Sequence, residues 1–167
     1  MNIILITKMV KIFARAPVRI DFGGGTTDVY PFTNYGGAVL NAAIDKYVHG
    51  SILKLNDRTV LEYHADIPTS SGLGTSSAMN VVWLALTSNI RDKKKIAEMV
   101  YEVEKSTGIV GGKQDQYAAA LGGINFLSFG KKVSVERLNL KKSFLNELEK
   151  KLFLLYTGPR VIKRILF

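Results

Sequence analysis

The 167-residue chain predicts an α+β domain, and three features of it say so. Residues before Pro68 are β-rich, with strand-like alternation and β-branched runs. Beyond Pro68 apolar residues recur at helical spacing, and a strand pair returns behind Gly122-Gly123. The chain has no internal repeat and no low-complexity linker, so a single domain is expected.

Residues 11–20 read as the first strand, with Pro17 marking a bend or bulge. The turn Gly23-Gly24-Gly25-Thr26-Thr27-Asp28 follows. Runs at 38–43, 47–54 and 60–64 predict strands. The last two are joined through Asn56-Asp57, both of which tolerate positive φ. Residues 76–88 are apolar on nearly every face (Met79, Val81, Val82, Trp83, Leu84, Leu86), which predicts a buried helix. Ile96, Met99, Val100 and Val103 place a second helix over 92–107, with Gly108 as its stop signal. A short helix over 114–121 ends at Gly122-Gly123, and strands at 124–129 and 133–138 flank Gly130-Lys131. A helix at 143–150 and a strand at 152–156 complete the pattern.

Composition removes several function classes. With an apolar fraction of 47%, the chain has enough core-forming residues to fold. Cysteine is absent, which excludes disulfides, thiolate metal sites and a cysteine nucleophile. His49 and His64 are too few for a multi-histidine metal site. No apolar run approaches the roughly 20 residues that span a bilayer, and residues 1–9 lack the pattern of a signal peptide. A cytoplasmic protein with no membrane partner is expected. The net charge of +9 raises nucleic-acid binding. The lysines, however, cluster at element ends (Lys93-Lys94-Lys95, Lys131-Lys132, Lys141-Lys142, Lys150-Lys151) without interleaved aromatics, the pattern of a solvated surface.

Chemistry concentrates in the loop Pro68-Thr69-Ser70-Ser71-Gly72-Leu73-Gly74-Thr75-Ser76-Ser77-Ala78, between a β-region and the buried helix. Its glycines let backbone N–H groups face inward and let a phosphate approach closely. The hydroxyls of Ser70, Ser71, Thr75, Ser76 and Ser77 can donate to phosphate oxygens, and one can ligate Mg²⁺. The helix that follows turns the positive end of its dipole toward an anion. A serine-rich surface loop that merely caps the helix is the plain alternative. The loop lacks the Gly-Lys-Ser/Thr ending of a Walker loop and is not a Rossmann fingerprint.

This loop resembles the second motif of the GHMP kinases, the family of galactokinase, homoserine kinase and mevalonate kinase. Two further segments stand in the family's order. Ala16-Pro17-Val18-Arg19-Ile20-Asp21-Phe22-Gly23-Gly24-Gly25-Thr26-Thr27-Asp28 resembles its first motif, and Gly111-Gly112-Lys113-Gln114-Asp115-Gln116-Tyr117 the segment bearing its catalytic aspartate. The Gly-Gly-Gly-Thr-Thr-Asp run and Lys113-Gln114-Asp115-Gln116-Tyr117 look most like the sugar-kinase branch that includes heptose-7-phosphate kinase and fucokinase. Gly25 and Thr26 stand where other branches carry Glu-His. The resemblance implies the GHMP N-terminal α+β domain, shared with a ribosomal small-subunit protein, with a mixed β-sheet and helices on one side.

Roles follow from the resemblance position by position. Asp115 is the implied base or charge partner for the attacking hydroxyl, and Arg19 the cation that orients it. Gly24, Gly25 and Asp28 are the implied sugar-binding residues. Ser70, Ser71, Gly72, Leu73, Gly74, Thr75, Ser76 and Ser77 are the implied ATP site. Ser76 and Glu104 are the implied Mg²⁺ ligands, with Glu102 as Glu104's competitor. The implied activity is ATP- and Mg²⁺-dependent phosphorylation of a hydroxyl on a sugar or sugar phosphate.

GHMP kinases have two lobes and a glycine-rich third motif, and this chain resembles the first lobe alone. Residues 1–156 read as the ATP-binding domain. Residues 157–167 read as the truncated start of a missing second domain or an aberrant tail. A homodimer through the face the second lobe would cover is then expected. Two alternatives stay open: an inactive nucleotide- or sugar-binding fragment, and an RNA-binding module.

Overall fold

The computed structural model describes residues 10–54, 58–109 and 111–158. Residues 1–9, the Asn56-Asp57 turn and the tail beyond 158 lie outside the described residues. Five strands form one sheet: β1 (Val10–Gly23), β2 (Ala38–Lys54), β3 (Thr59–Ala65), β4 (Ile124–Ser128) and β5 (Ser134–Arg137). Strand β2 is central. It pairs with β1 on one side; on the other, β4 takes its first half and β3 its second, and β5 extends the sheet beyond β4. The α+β class holds, but the sheet is antiparallel throughout the described residues rather than mixed.

The runs at 38–43 and 47–54 are one strand, because Ile44, Asp45 and Lys46 continue it. Those extra residues sit opposite the irregularity expected at Pro17: Pro17 pairs with Tyr47 but Arg19 with Ala43. A bulge of this kind re-aims the side chains that follow it. Ala16 before it and Val18 within it point into the core against the helices; after it, Arg19 reaches the helix side too, where it meets Asp115.

Three helices pack on one face: α1 (Thr75–Thr87), α2 (Lys93–Ser106) and α3 (Gln114–Leu121). Asp92 starts α2 by accepting from the backbone N–H groups of Lys94 and Lys95, a side-chain cap of the usual kind. The core joins Val48 and Ile52 of β2 to Val81, Val82 and Leu84 of α1, and a second cluster joins Val39 and Leu127 to Tyr117 of α3. Helix α1 is less enclosed than its composition predicts. Met79 and Trp83, one turn apart, are 42% and 41% exposed. They form its solvent stripe, and an apolar stretch does not reveal which stripe faces out until neighbouring elements are placed.

Helix α4 (Lys142–Lys151) stands apart, with no buried residue. Its Leu145 and Leu148 face Ile20, Phe22 and Ile124 across a groove of about 580 Å³ on the sheet face opposite α3. The helices are therefore not all on one side. The strand expected at 152–156 does not form: the segment is irregular, and Phe153 and Leu155 are 86% and 77% exposed. A strand needs a ladder partner, and none of the described strands pairs with this segment.

Candidate active site

The loop at 70–77, the first turn of α3 and the end of the glycine turn (Thr26 and Asp28) converge on one cleft of about 440 Å³. Gly74 sits at the N-cap of α1 with φ 75°. That is left-handed backbone that a residue with a Cβ adopts only at a cost of about 1–2 kcal/mol. No side chain caps α1. Its first-turn N–H groups therefore open toward the cleft that Thr75, Ser76 and Ser77 line.

Arg19 ties this loop to α3. Its Nε donates to Asp115 Oδ1 at 2.7 Å, its NH2 stands 2.6 Å from the same oxygen, and its NH1 donates to the Gly72 carbonyl at 3.2 Å. The Arg19 backbone N–H also donates to the Leu73 carbonyl at 3.0 Å. Because both guanidinium contacts end on Oδ1, the second oxygen of Asp115 is not used by Arg19. A Cβ built on Gly74 would stand 3.2 Å from Asp115 Cγ, so loop and aspartate are in close register.

Asp28 is 6% exposed. Its Oδ2 accepts from the Gln114 backbone N–H at 3.0 Å and its Oδ1 from Gln114 Nε2 at 3.3 Å. The same Nε2 donates to the Gly25 carbonyl at 2.7 Å. Gly112 must be glycine here, since a Cβ on it would land on the Asp28 carboxylate. Burial pushes the Asp28 pKa above its ordinary 3.8, with Gln114's hydrogen bonds opposing; burial does the same to Asp21, whose Oδ2 lies 3.6 Å from Arg19 NH1.

A raised carboxyl pKa means the folded state holds the proton more tightly than the unfolded chain. Asp28 therefore costs stability above its folded pKa, and the cost is relieved as pH falls through that value toward 3.8. The melting temperature of the native sequence should gain on that of Asp28→Asn as pH is lowered from about 7 toward about 4. A gap that stays constant over that range would mean Asp28 titrates as an ordinary carboxylate.

Glu104 is 5% exposed and accepts three hydrogen bonds: from Ser77 Oγ at 3.2 Å, Asn80 Nδ2 at 2.9 Å and Gln116 Nε2 at 2.5 Å. All three donors are neutral, and no cationic side chain lies within 4 Å of Glu104 among the described residues. A buried carboxylate with a lone-pair site to spare and no counter-charge fits a hard divalent cation. Glu102 is exposed and outside the cleft. Ser77 is the serine bonded to Glu104, while Ser76 is exposed on the cleft wall.

The residues expected at 70–72 and 74–77, with Arg19, Asp28, Glu104 and Asp115, thus share one cleft. Leu73 does not line it: its carbonyl accepts from the Arg19 backbone and its side chain packs on the core. Gly25 does not line the cleft; its carbonyl accepts from Gln114 Nε2 behind it. Gly24 does not line the cleft: it lies against the backbone of Ala38 and Val39 in β2. Sequence reasoning missed Gln114, Gln116, Asn80 and Gly112. The two glutamines flank Asp115 and could have been suspected for that, but their partners lie far away along the chain.

Residues 38–123 match the family model described as GHMP kinases N terminal domain. The chain is 31% identical to D-glycero-alpha-D-manno-heptose 7-phosphate kinase of Campylobacter jejuni, over 90% of this chain and 60% of that protein. It is also 31% identical, over 56% of its length, to 10% of the bifunctional fucokinase/GDP-fucose pyrophosphorylase of Arabidopsis thaliana. Among solved structures, a D-glycero-D-manno-heptose 1-phosphate kinase from Bacteriodes thetaiotaomicron superposes with a TM-score of 0.72 at 29% identity, covering 84% of this chain and 63% of that one. The chain spans less than two thirds of the length of each of these relatives. Fold, motif order and sequence identity agree: this chain belongs to the GHMP kinase family.

Proposed function

We propose that the chain carries the donor and acceptor sites of a sugar or sugar-phosphate kinase, with ATP as phosphoryl donor. The observation that carries this reading is the Arg19–Asp115 pair set against the loop at 70–77, within one cleft. Phosphoryl transfer asks little covalent work of a protein, so positioning and charge neutralisation dominate. In this reading the N–H groups at the start of α1 and the hydroxyls of Ser70, Ser71, Thr75 and Ser76 hold the triphosphate. Asp28, kept in place by Gln114, accepts from hydroxyls of the sugar through its remaining lone pairs. Asp115 receives the proton of the attacking hydroxyl on the oxygen Arg19 leaves free, and Arg19 stabilises the charge around it.

The charged residues lining the cleft are Arg19 against Asp28, Glu104 and Asp115. Such a lining repels a bare polyphosphate, so the nucleotide must arrive with cations. Glu104 and Ser76 would hold Mg²⁺, which when bound neutralises charge on the transferring phosphate oxygens. The excess of carboxylates also argues against RNA in the cleft, whatever the overall charge.

The test is ADP release by the purified chain given ATP, Mg²⁺ and a panel of heptose phosphates, fucose and glucuronate. Release that needs both a sugar and the metal is expected. Because the chain spans 60% of its heptose-kinase relative, a binding fragment without turnover is the second reading. Thermal stabilisation by Mg·ATP with no ADP release would select it. No stabilisation and no release would sink both.

A further inference from the structure

Three consecutive residues on one turn of α3 each hold a different part of the cleft. Gln114 holds Asp28, Asp115 meets Arg19 of β1, and Gln116 donates to Glu104 of α2. The orientation of that turn therefore decides whether the acceptor-side carboxylate, the base and the metal-side carboxylate are in register together.

A cluster outside the cleft grips this turn. Lys113, directly before Gln114, donates from Nζ to Glu98 Oε2 at 2.6 Å, and the Tyr117 hydroxyl donates to Glu98 Oε1 at 2.6 Å. Lys113 Nζ also stands 4.8 Å from the centroid of the Tyr101 ring, three residues along α2 from Glu98. Positions 113 and 117 are one helical turn apart on the same face. One carboxylate thus fixes α3 at two points, which restrains its rotation as well as its distance from α2. Both bonds involve an ionised acceptor, which makes them stronger than neutral ones. Burial pushes the Glu98 pKa up, but the bonds from Lys113 and Tyr117 outweigh it and hold the carboxyl below its usual range. Burial and the bond to Glu98 push the Tyr117 hydroxyl up. The bonded, ionised pairing is therefore the form present at neutral pH.

We infer that Glu98 is a positioning residue for phosphoryl transfer, acting through Lys113 and Tyr117 on the first turn of α3 and thereby on Gln114 and Asp115. The inference rests on the kinase reading above. Glu98 does not line the cleft, and the apolar packing of Ala97 against Tyr117 remains when its charge is removed. Its loss should therefore leave the chain folded and misalign the turn.

The variants are Glu98→Gln and Glu98→Asp, with Glu102→Gln, an exposed neighbour on α2, as control. Two measurements are made on the full chain. The first is amide hydrogen exchange. The Gln114 N–H is bonded to Asp28 and the Tyr117 N–H to the Lys113 carbonyl. Both should exchange about tenfold faster in Glu98→Gln, with α1 and the sheet unchanged. The second is steady-state kinetics: kcat should fall about 10- to 100-fold with KM for ATP little moved, Glu98→Asp should recover part of the loss, and Glu102→Gln should match the native chain. Unchanged exchange at Gln114 overturns the inference. So does faster exchange everywhere with a lower Tm, or a kcat left intact. A native chain that transfers no phosphoryl group counts against the kinase reading, and the exchange measurement alone then judges whether Glu98 holds the turn.

Discussion

Asp115→Asn is expected to reduce phosphoryl transfer by about 10²–10⁴-fold while Mg·ATP still binds. Asparagine keeps the shape and can still accept from Arg19 at Oδ1, where both guanidinium contacts of 2.7 and 2.6 Å end. What it lacks is a second oxygen able to take a proton, and the negative charge that Arg19 faces. The loop at 70–77 is held by its own glycine backbone and by Arg19's contacts to Gly72 and Leu73, so the nucleotide side should be little disturbed. Single-turnover transfer, measured beside nucleotide binding, separates the two effects. An Asp115→Asn chain that transfers at the native rate would remove Asp115 from the reaction. Arg19→Lys should also be slow, because an ammonium cannot reach Asp115 and the Gly72 carbonyl together as the planar fork does.

Gly112→Ala should markedly destabilise the domain. The added Cβ would fall on the carboxylate of Asp28, which is buried and doubly bonded to Gln114. Neither the carboxylate nor the backbone has room to retreat without breaking those bonds. Overpacking of this kind costs about 1–3 kcal/mol, and each kcal/mol lowers Tm by about 2–4 °C in a domain of this size. Thermal melts of Gly112→Ala, Asp28→Ala and the double variant form a cycle. If the clash is the cause, the double variant is less destabilised than the sum of the two. Strict additivity would mean that Gly112 acts by some other route.

Much of the domain was legible from residue pattern because the signals are local. Gly108 after α2 and Gly122 after α3 are stops read within a few residues. The glycine-hydroxyl loop was legible for the same reason, since its glycines, its hydroxyls and the helix behind it are contiguous. Between Glu102 and Glu104 the pattern could not choose. The structure buries Glu104 in the cleft and leaves Glu102 exposed outside it, because Ser77, Asn80 and Gln116 converge on Glu104 from two other helices. Ser76 and Ser77 are adjacent, yet only the second turns toward that carboxylate. The strand expected at 152–156 failed for the converse reason: a short apolar run makes a strand only where another strand accepts its hydrogen bonds.

The sequence by itself determined the order of the elements, the glycine-hydroxyl loop, the identities of Arg19 and Asp115 as a cation and a carboxylate, and the family they belong to. Only the tertiary structure decided that these two meet. Pro17 signalled a bulge, but its consequence is non-local: the register shift of β1 on β2 turns Arg19 to the helix side, 96 residues in sequence from its partner. It also decided that Gln114, Asp115 and Gln116 each hold a different element, and that Glu98 holds the turn that carries them. Each of these is a contact between residues far apart along the chain, and a hydrogen bond depends on distance and direction in space, which residue spacing leaves open.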